Sequence, residues 1–154
     1  MEIKIAKEKD AKIIMDFELS LFRKWDKIDP IDTIDESWFK SEKHLQRTIK
    51  FIKDDSKRIF LAFENNNCLG YLQVEINERE PFLKKVGYVS EIYIVEESRG
   101  RQLGSKLLDK ALEWFREKGV VWTTVSTHSL DKEAIIFWEK KGYKEYNKFF
   151  KMKV

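Results

Sequence analysis

The sequence predicts a single α/β domain with a mixed, mostly antiparallel central sheet, one parallel β-α-β crossover and helices on both faces. The succession of a strand, a helix and a second strand is predicted only once, between residues 86 and 126. A hairpin pattern occupies residues 59–76 instead of a crossover. A repeated β-α-β array would alternate along the whole chain, so the order does not favour a doubly wound nucleotide-binding domain.

The first third of the chain predicts one short strand and two helices. Residues 3–5 alternate isoleucine with lysine, which is typical of a strand. Asp10 can cap the first helix, and either Ser37 or Ser41 can start the second. His44 lies on the second helix, where a lone histidine is normally solvated, and we assign it no role.

The middle of the chain predicts antiparallel strands. Residues 59–63 and 69–76 are rich in β-branched and aromatic side chains, and an Asn-Asn-Asn turn at residues 65–67 separates them. The polar residues 77–86 predict a longer loop. A further strand from Val86 to Val95 follows it.

The last third predicts the crossover and the end of the sheet. A helix over residues 103–118 lies between two strands, so the strand over 120–126 should run parallel to the preceding one. Another helix starts at Asp131 and stops at Gly142. Residues 143–154 are expected to close the chain as a strand or hairpin.

Length and composition favour one domain over residues 1–154. The 30 basic and 27 acidic residues give a net charge of only +3, which disfavours a nucleic-acid binder. A single cysteine fits a reducing compartment. No apolar signal core or membrane-spanning run is present, so we expect a cytoplasmic protein with no membrane partner, and no metal site is assigned.

The stretch between the crossover strand and its helix predicts an anion site. Gly100 and Gly104 permit backbone conformations that other residues resist, and a helix N-terminus aims free N–H groups at one point. Arg99 and Arg101 add forked cationic donors suited to phosphate. The plain structural alternative is a basic turn whose glycines serve geometry alone.

Two common phosphate-binding motifs do not fit this loop. A Walker loop requires Gly-Lys-Ser/Thr after its second glycine, whereas the order here is Gly104-Ser105-Lys106. A dinucleotide fingerprint requires three patterned glycines, which are absent.

The loop resembles the pyrophosphate loop of the GNAT superfamily of acetyl-CoA-dependent N-acetyltransferases, whose pattern is Arg/Gln-x-x-Gly-x-Gly/Ala. Gln102 stands where the first patterned glycine should be. Residues 131–145 resemble a second family segment, Asn-x-x-Ala-x-x-x-Tyr-x-Lys-x-Gly-Phe. There, Asp131 replaces the asparagine and Trp138 replaces the tyrosine. The resemblance covers most of residues 58–150.

This resemblance implies a fold with splayed central strands and a coenzyme A site between them. The strand before the loop would pair with the pantetheine arm, and the loop would hold the pyrophosphate. The implied coenzyme-binding residues are Ile92, Tyr93, Ile94, Val95, Arg99, Gly100, Arg101, Gln102, Leu103, Gly104, Ser105, Asp131 and Trp138.

The resemblance also suggests catalytic candidates. Glu91, on the splayed strand, is the candidate base. The alternative is a solvated or salt-bridged strand glutamate, and Ser90 could instead position a water. The family's proton-donating tyrosine corresponds to Trp138, which is no practical acid. Either the thiolate leaves unassisted or Tyr143, whose position in the family is a core phenylalanine, serves as the acid.

The implied function is acetyl transfer from acetyl-CoA to a primary amine of a small molecule or peptide, by direct attack. The alternative is a non-catalytic acyl-CoA-binding or regulatory module. The acidic residues 26–36 form either an exposed connector or a rim that attracts a cationic amine. Strand edges in this fold often pair between subunits, which leaves a homodimer open, and the acceptor is not fixed by the sequence.

Overall fold

A computed structural model describes residues 1–29, 33–78, 81 and 83–154. Its regular elements follow the predicted order. They are β1 (Glu2–Ile5), α1 (Ala11–Ile28), α2 (Glu42–Lys53), β2 (Lys57–Glu64), β3 (Asn67–Asn77), β4 (Val86–Ile94), α3 (Leu103–Glu117), β5 (Trp122–Val125) and α4 (Lys132–Lys140).

The five strands form one sheet in the order β1-β2-β3-β4-β5. The first three pairings are antiparallel, and β4 with β5 is parallel, as expected for strands joined by the crossover helix α3. The predicted mixed, mostly antiparallel sheet with one parallel pair is confirmed.

Helices cover both faces of this sheet, as predicted, and each face has its own core. On one face, α3 and Trp138 of α4 pack on Leu72 and Val74 of β3. On the other face, Ile14 and Phe17 of α1 pack on β2 and β3, and the Phe17 ring stacks on Tyr71 at 5.8 Å. Alternate residues of each strand therefore serve different cores.

A β-bulge at Ser90 interrupts this alternation in β4. Glu91 pairs with Gln73 of β3, but the next pair joins Val89 to Val74, so Ser90 has no opposite residue. The Ser90 hydroxyl donates to the Gln73 carbonyl at 3.1 Å. Because one residue is inserted, Glu91 faces α1 and α2 whereas Val89 faces α3.

The structure shows which of the two candidate serines, Ser37 or Ser41, caps the second helix. The Ser41 hydroxyl accepts from the backbone N–H of His44 at 3.1 Å, so Ser41 caps α2. Asp10 precedes α1, but its carboxylate accepts from the Lys7 N–H at 2.8 Å and bonds no amide of the helix.

The prediction of a strand or hairpin over residues 143–154 is wrong. These residues carry no regular structure, and Tyr146, Phe149 and Phe150 expose 74%, 86% and 90% of their surface. Phe150, Met152 and Val154 would share one side of a strand, but none of the three is buried against the described residues.

Candidate functional site

The main cavity lies where β4 and β5 diverge. It has a volume of about 360 Å³ and is lined by α1, β4, β5, the loop before α3 and α4. The β5 pairing extends along β4 only from Val86 to Val89. Among the described residues, no strand pairs with that edge of β4 over residues 90–94, so its backbone groups can bond a ligand.

The loop between β4 and α3 presents free amides to this cavity. A 3₁₀ turn at Glu96–Ser98 leads to Gly100, which has φ +75°, and α3 begins at Leu103. The first amide bonded within α3 is that of Lys106, which donates to the Gln102 carbonyl at 3.1 Å. The amides of the preceding helical residues therefore remain available for an anion, and the dipole of α3 favours negative charge there.

Gln102 has the backbone conformation that explains why a glycine is expected at its position. Its φ of +62° and ψ of +13° lie in the left-handed region, which costs a residue with a side chain about 1–2 kcal/mol. The departure from the family pattern therefore keeps the same loop geometry at a conformational cost.

The two arginines of the loop have different surroundings. Arg99 lines the cavity, donates through Nε to the Ile94 carbonyl at 3.2 Å, and lies 3.8 Å from Glu133. The Arg101 guanidinium binds both carboxylate oxygens of Glu64, at 2.6 and 2.8 Å, and does not line the cavity.

The cavity brings together most of the residues predicted for the site. Those that line it are Glu91, Ile92, Tyr93, Ile94, Arg99, Gly100, Gln102, Leu103, Gly104, Ser105, Asp131 and Trp138. Val95 is outside the cavity wall and packs towards the α1 core. The roles assigned to these residues, and to Arg101, stay predictions.

The candidate acid Tyr143 also lies outside the cavity wall. Its ring contacts that of Trp138, with 5.2 Å between centroids, and its hydroxyl lies 3.0 Å from the Thr123 hydroxyl. Burial raises the pKa of Tyr143 above its ordinary value. A weaker acid that already bonds another side chain is a poor proton donor to a leaving thiolate.

Asp131 is buried with a cation beside it. Only 4% of its surface is exposed, its Oδ1 accepts from the Ala134 N–H at 3.2 Å, and Lys24 of α1 lies 3.0 Å from its Oδ2. Lys24 also contacts Glu133 at 3.2 Å. The charge that distinguishes Asp131 from the family's asparagine is therefore balanced by α1 across the cavity mouth.

Glu91 is held in the cavity wall by a buried tyrosine. The Tyr71 hydroxyl donates to Glu91 Oε2 at 2.5 Å. Burial, together with the charge of Glu18, raises the pKa of Glu91 to about 7, although the Tyr71 hydrogen bond opposes this rise. A carboxyl group with this pKa is suited to exchange protons near neutral pH.

A buried pair of side chains behind Glu91 was not predicted from the sequence. Glu18 of α1 and His44 of α2 are 6% and 5% exposed, and His44 Nε2 lies 2.5 Å from Glu18 Oε2. The expectation of a solvated His44 is wrong, because Trp38 and Phe39 cover its ring. A signal was present, since Glu18 occupies the apolar face of α1 that carries buried Ile14.

Two carboxylates of the acidic stretch over residues 26–36 already bind side chains of this protein. Glu36 binds Arg23 at 2.5 and 2.7 Å, and Asp29 accepts from His128 at 2.9 Å. Residues 30–32, which belong to the predicted acidic rim, lie outside the described residues.

A mixed sheet whose neighbouring strands β4 and β5 diverge beside a glycine-containing loop and a helix N-terminus is typical of an acetyltransferase-type fold. The chain belongs to the acetyltransferase (GNAT) family, whose family model matches residues 21–143. The family predicted from the two motifs is confirmed.

Curated relatives match part of this chain. Streptothricin acetyltransferase A of Bacillus subtilis (strain 168) is 25% identical over 105 residues, which are 67% of this chain and 57% of the relative. Aminoalkylphosphonate N-acetyltransferase of Salmonella typhimurium is 28% identical over 85 residues, 55% of each chain. The chain thus spans just over half the length of these two relatives.

Solved structures share the fold over nearly the whole chain. A tetramutant of a Bacillus halodurans protein has a TM-score of 0.86 at 12% identity, covering 100% of both chains. An aminoglycoside acetyltransferase from an uncultured soil sample, in complex with sisomicin, has a TM-score of 0.73 at 17% identity, covering 99% of this chain and 95% of the other. The structure of AAC(6')-Iy with a CoA-containing bisubstrate analogue has a TM-score of 0.75 at 13% identity, covering 99% of this chain and 97% of the other.

Among the described residues, no helix is both long and apolar enough to cross a membrane.

Proposed function

We propose that this protein transfers an acetyl group from acetyl-CoA to the primary amine of a small molecule or peptide. One observation carries the proposal: a single cavity reaches from the free amides at the start of α3, along the unpaired edge of β4, to Glu91. This arrangement joins an anion site to a proton acceptor.

The residues present fit a coenzyme A molecule. Apart from Gly100 and its two chain neighbours, no heavy atom of the described residues lies within 4 Å of where a Cβ on Gly100 would be, so a diphosphate could approach that backbone closely. The amides of Leu103, Gly104 and Ser105 would donate to it, with Arg99 beside them. The cavity volume of about 360 Å³ lies within the usual range for small-molecule sites.

Acetyl-CoA supplies an activated thioester. The exposed edge of β4 over Ile92–Ile94 would align it, and a backbone N–H of this edge would donate to the thioester carbonyl. Arg99 keeps its Nε on the Ile94 carbonyl, which fixes its guanidinium beside the loop.

Glu91 would act as the base for the amine. An alkylamine has a pKa of about 10.4, so near neutral pH it arrives protonated and cannot attack. The amine N–H proton would pass to a Glu91 carboxylate oxygen, directly or through water, which frees the nitrogen lone pair. The Tyr71 hydroxyl holds this carboxylate in place through the proton transfer. The amine nitrogen would then bond to the thioester carbonyl carbon, the carbon–sulfur bond would break, and coenzyme A would leave as the thiolate, which takes its proton from water.

The acceptor would approach from α1, where Leu21 and Trp25 form an apolar wall opposite Tyr93. Relatives that act on aminoalkylphosphonate and streptothricin show amine acceptors within the similar proteins. The wall favours an acceptor whose amine is carried on an apolar or flat ring-bearing body.

A non-catalytic acyl-CoA-binding module is the second candidate. Trp138 replaces the family's acid, and Tyr143 bonds Thr123 outside the cavity wall. Under this alternative the coenzyme binds but no acetyl group leaves it.

Two measurements test the proposal. Acetyl-CoA with a panel of amines should release free thiol, and Glu91→Gln should reduce that release by about 10²-fold or more. No release with any amine, together with a stabilising coenzyme A shift, would favour the non-catalytic module.

Thermal unfolding with coenzyme A tests the position of the site. Arg99→Ala or Gly104→Glu should abolish the stabilisation, whereas Arg101→Ala, a matched control in the same loop, should retain it. An unchanged shift in Arg99→Ala and Gly104→Glu would place the coenzyme elsewhere.

A further inference from the structure

Four groups from three elements surround Glu91 on the face of the sheet covered by α1 and α2. They are Glu18 of α1, His44 and Arg47 of α2, and Tyr71 of β3. Only Glu91 of this cluster lines the cavity. The other four groups belong to no part of the proposed coenzyme site, so their arrangement requires a separate explanation.

The hydrogen bonding of His44 fixes the charge state of this cluster. Its Nδ1 is buried and has no hydrogen-bond partner among the described residues. A doubly protonated ring would bury an N–H without an acceptor, and burial lowers the pKa of His44. The neutral tautomer with a proton on Nε2 satisfies its one donor on Glu18 Oε2.

When Glu18 is ionised, it accepts from His44 Nε2 and is the second carboxylate of the cluster. Burial raises the pKa of Glu18 to about 7, and the charge of Arg47 opposes that rise. The same Arg47 charge also lowers the pKa of Glu91, whereas Glu18 raises it. Two like charges in one poorly solvated cluster resist simultaneous ionisation.

We propose that Glu18 is a positioning residue for the reaction: held by His44, its carboxylate opposes a second negative charge on Glu91 and so makes Glu91 a stronger proton acceptor. When the amine proton reaches Glu91, Glu18 keeps its negative charge and continues to accept the hydrogen bond from His44 Nε2. The inference rests on the proposed function only in naming Glu91 as the base.

The β-bulge at Ser90 makes this arrangement possible. If residues 89–91 continued as a regular strand with no bulge, Glu91 would share the face of Val89 and point towards α3, away from α1 and α2. The bulge and the buried Glu18–His44 pair are thus two parts of one arrangement around Glu91.

The test is the titration midpoint of Glu91 in the free protein. It is measured by NMR on protein carrying ¹³C-labelled glutamate carboxyl groups and assigned with Glu91→Gln. Glu18→Gln should lower the midpoint by about one pH unit, because the opposing charge is gone. Arg47→Gln should raise it, because an exposed stabilising cation is gone.

The matched control is Asp16→Asn, which removes an exposed carboxylate two residues earlier on α1 and should leave the midpoint unchanged. His44→Phe should behave as Glu18→Gln does, and His44→Gln, which keeps an N–H donor, should restore the wild-type midpoint. If His44→Phe does not fold, the proposal is still tested, because Glu18→Gln and Arg47→Gln should shift the Glu91 midpoint in opposite directions.

A Glu18→Gln midpoint equal to that of Asp16→Asn, or a shift of the same sign in Glu18→Gln and Arg47→Gln, would overturn the inference. The acid limb of the kcat/KM profile should move with the NMR midpoint. If no acetyl transfer is found but the midpoints shift as expected, the proposed function fails and the coupling stands. If transfer is found without those shifts, only the coupling fails.

Discussion

The two buried carboxyl groups should make this protein less stable as the pH rises. Glu18 and Glu91 each have a pKa raised from an ordinary value of 4.5 to about 7, with burial as the largest cause. The folded state therefore binds more protons than the unfolded state between these values, and stability falls as the pH rises through them.

Glu18→Gln removes one of these titrations. A rise from 4.5 to about 7, at about 1.4 kcal/mol per pH unit, corresponds to about 3 kcal/mol. The variant should match the wild type below about pH 4.5 and exceed its free energy of unfolding by up to about 3 kcal/mol above about pH 7. The glutamine carbonyl can still accept from His44 Nε2, so the hydrogen bond is preserved.

Urea unfolding at roughly pH 5 and about pH 8 measures this difference directly. Asp16→Asn, on the exposed side of the same helix, should have the same free energy of unfolding as the wild type at both pH values. Glu18→Gln combined with Glu91→Gln should gain less than the sum of the two, because each charge raises the other's proton affinity. Parallel wild-type and Glu18→Gln curves would refute the reasoning.

Three further changes test the loop, the sheet and the cavity mouth. Gln102→Gly relieves a left-handed residue and should raise Tm by about 2–4 °C in a thermal melt; a lower Tm would mean that the Gln102 side chain supports the loop. Gly87→Ala places a Cβ 2.6 Å from the Phe115 ring and should lower the free energy of unfolding by about 1–3 kcal/mol in urea, and full stability would contradict that contact. Lys24→Met leaves the Asp131 carboxylate buried without its cation and should lower the free energy of unfolding by about 2 kcal/mol. Addition of Asp131→Asn should recover most of that loss in the same urea assay. If it recovers none, the loss comes from the packing of the Lys24 side chain.

The order of elements and the loop were predictable because they depend on local sequence. The period of apolar residues fixes α3, and the crossover rule makes β4 and β5 parallel without any further information. The placement of the loop at a helix N-terminus follows from the same local pattern, and the cavity contains most of the residues predicted there.

The surroundings of Glu91 were not predictable because they join distant segments. Alternation along β4 does not reveal the bulge at Ser90, which depends on its register with β3. Glu18 and His44 lie 26 residues apart and meet only when α1 and α2 pack together. The position of Glu18 on the apolar face of α1 is visible in the sequence, but only the tertiary contact shows its partner and the burial of His44.

The strand or hairpin over residues 143–154 was predicted wrongly for a related reason. Its aromatic residues suggest a strand, but a strand forms only where a partner and a buried face exist. The described structure provides neither, and Phe150 remains 90% exposed.

The bulge in β4 switches which alternate residues of the strand face each layer of the molecule. Glu91 and Tyr93 face the N-terminal helices, whereas Ile92 and Ile94 face the crossover helix. Exchange of α1 and α2 for those of a relative would thus alter the surroundings of Glu91, the proposed proton acceptor, provided that Lys24 is kept so that Asp131 retains its cation. Such chimaeras offer a route to new preferences for the amine on the proposed coenzyme site of this chain.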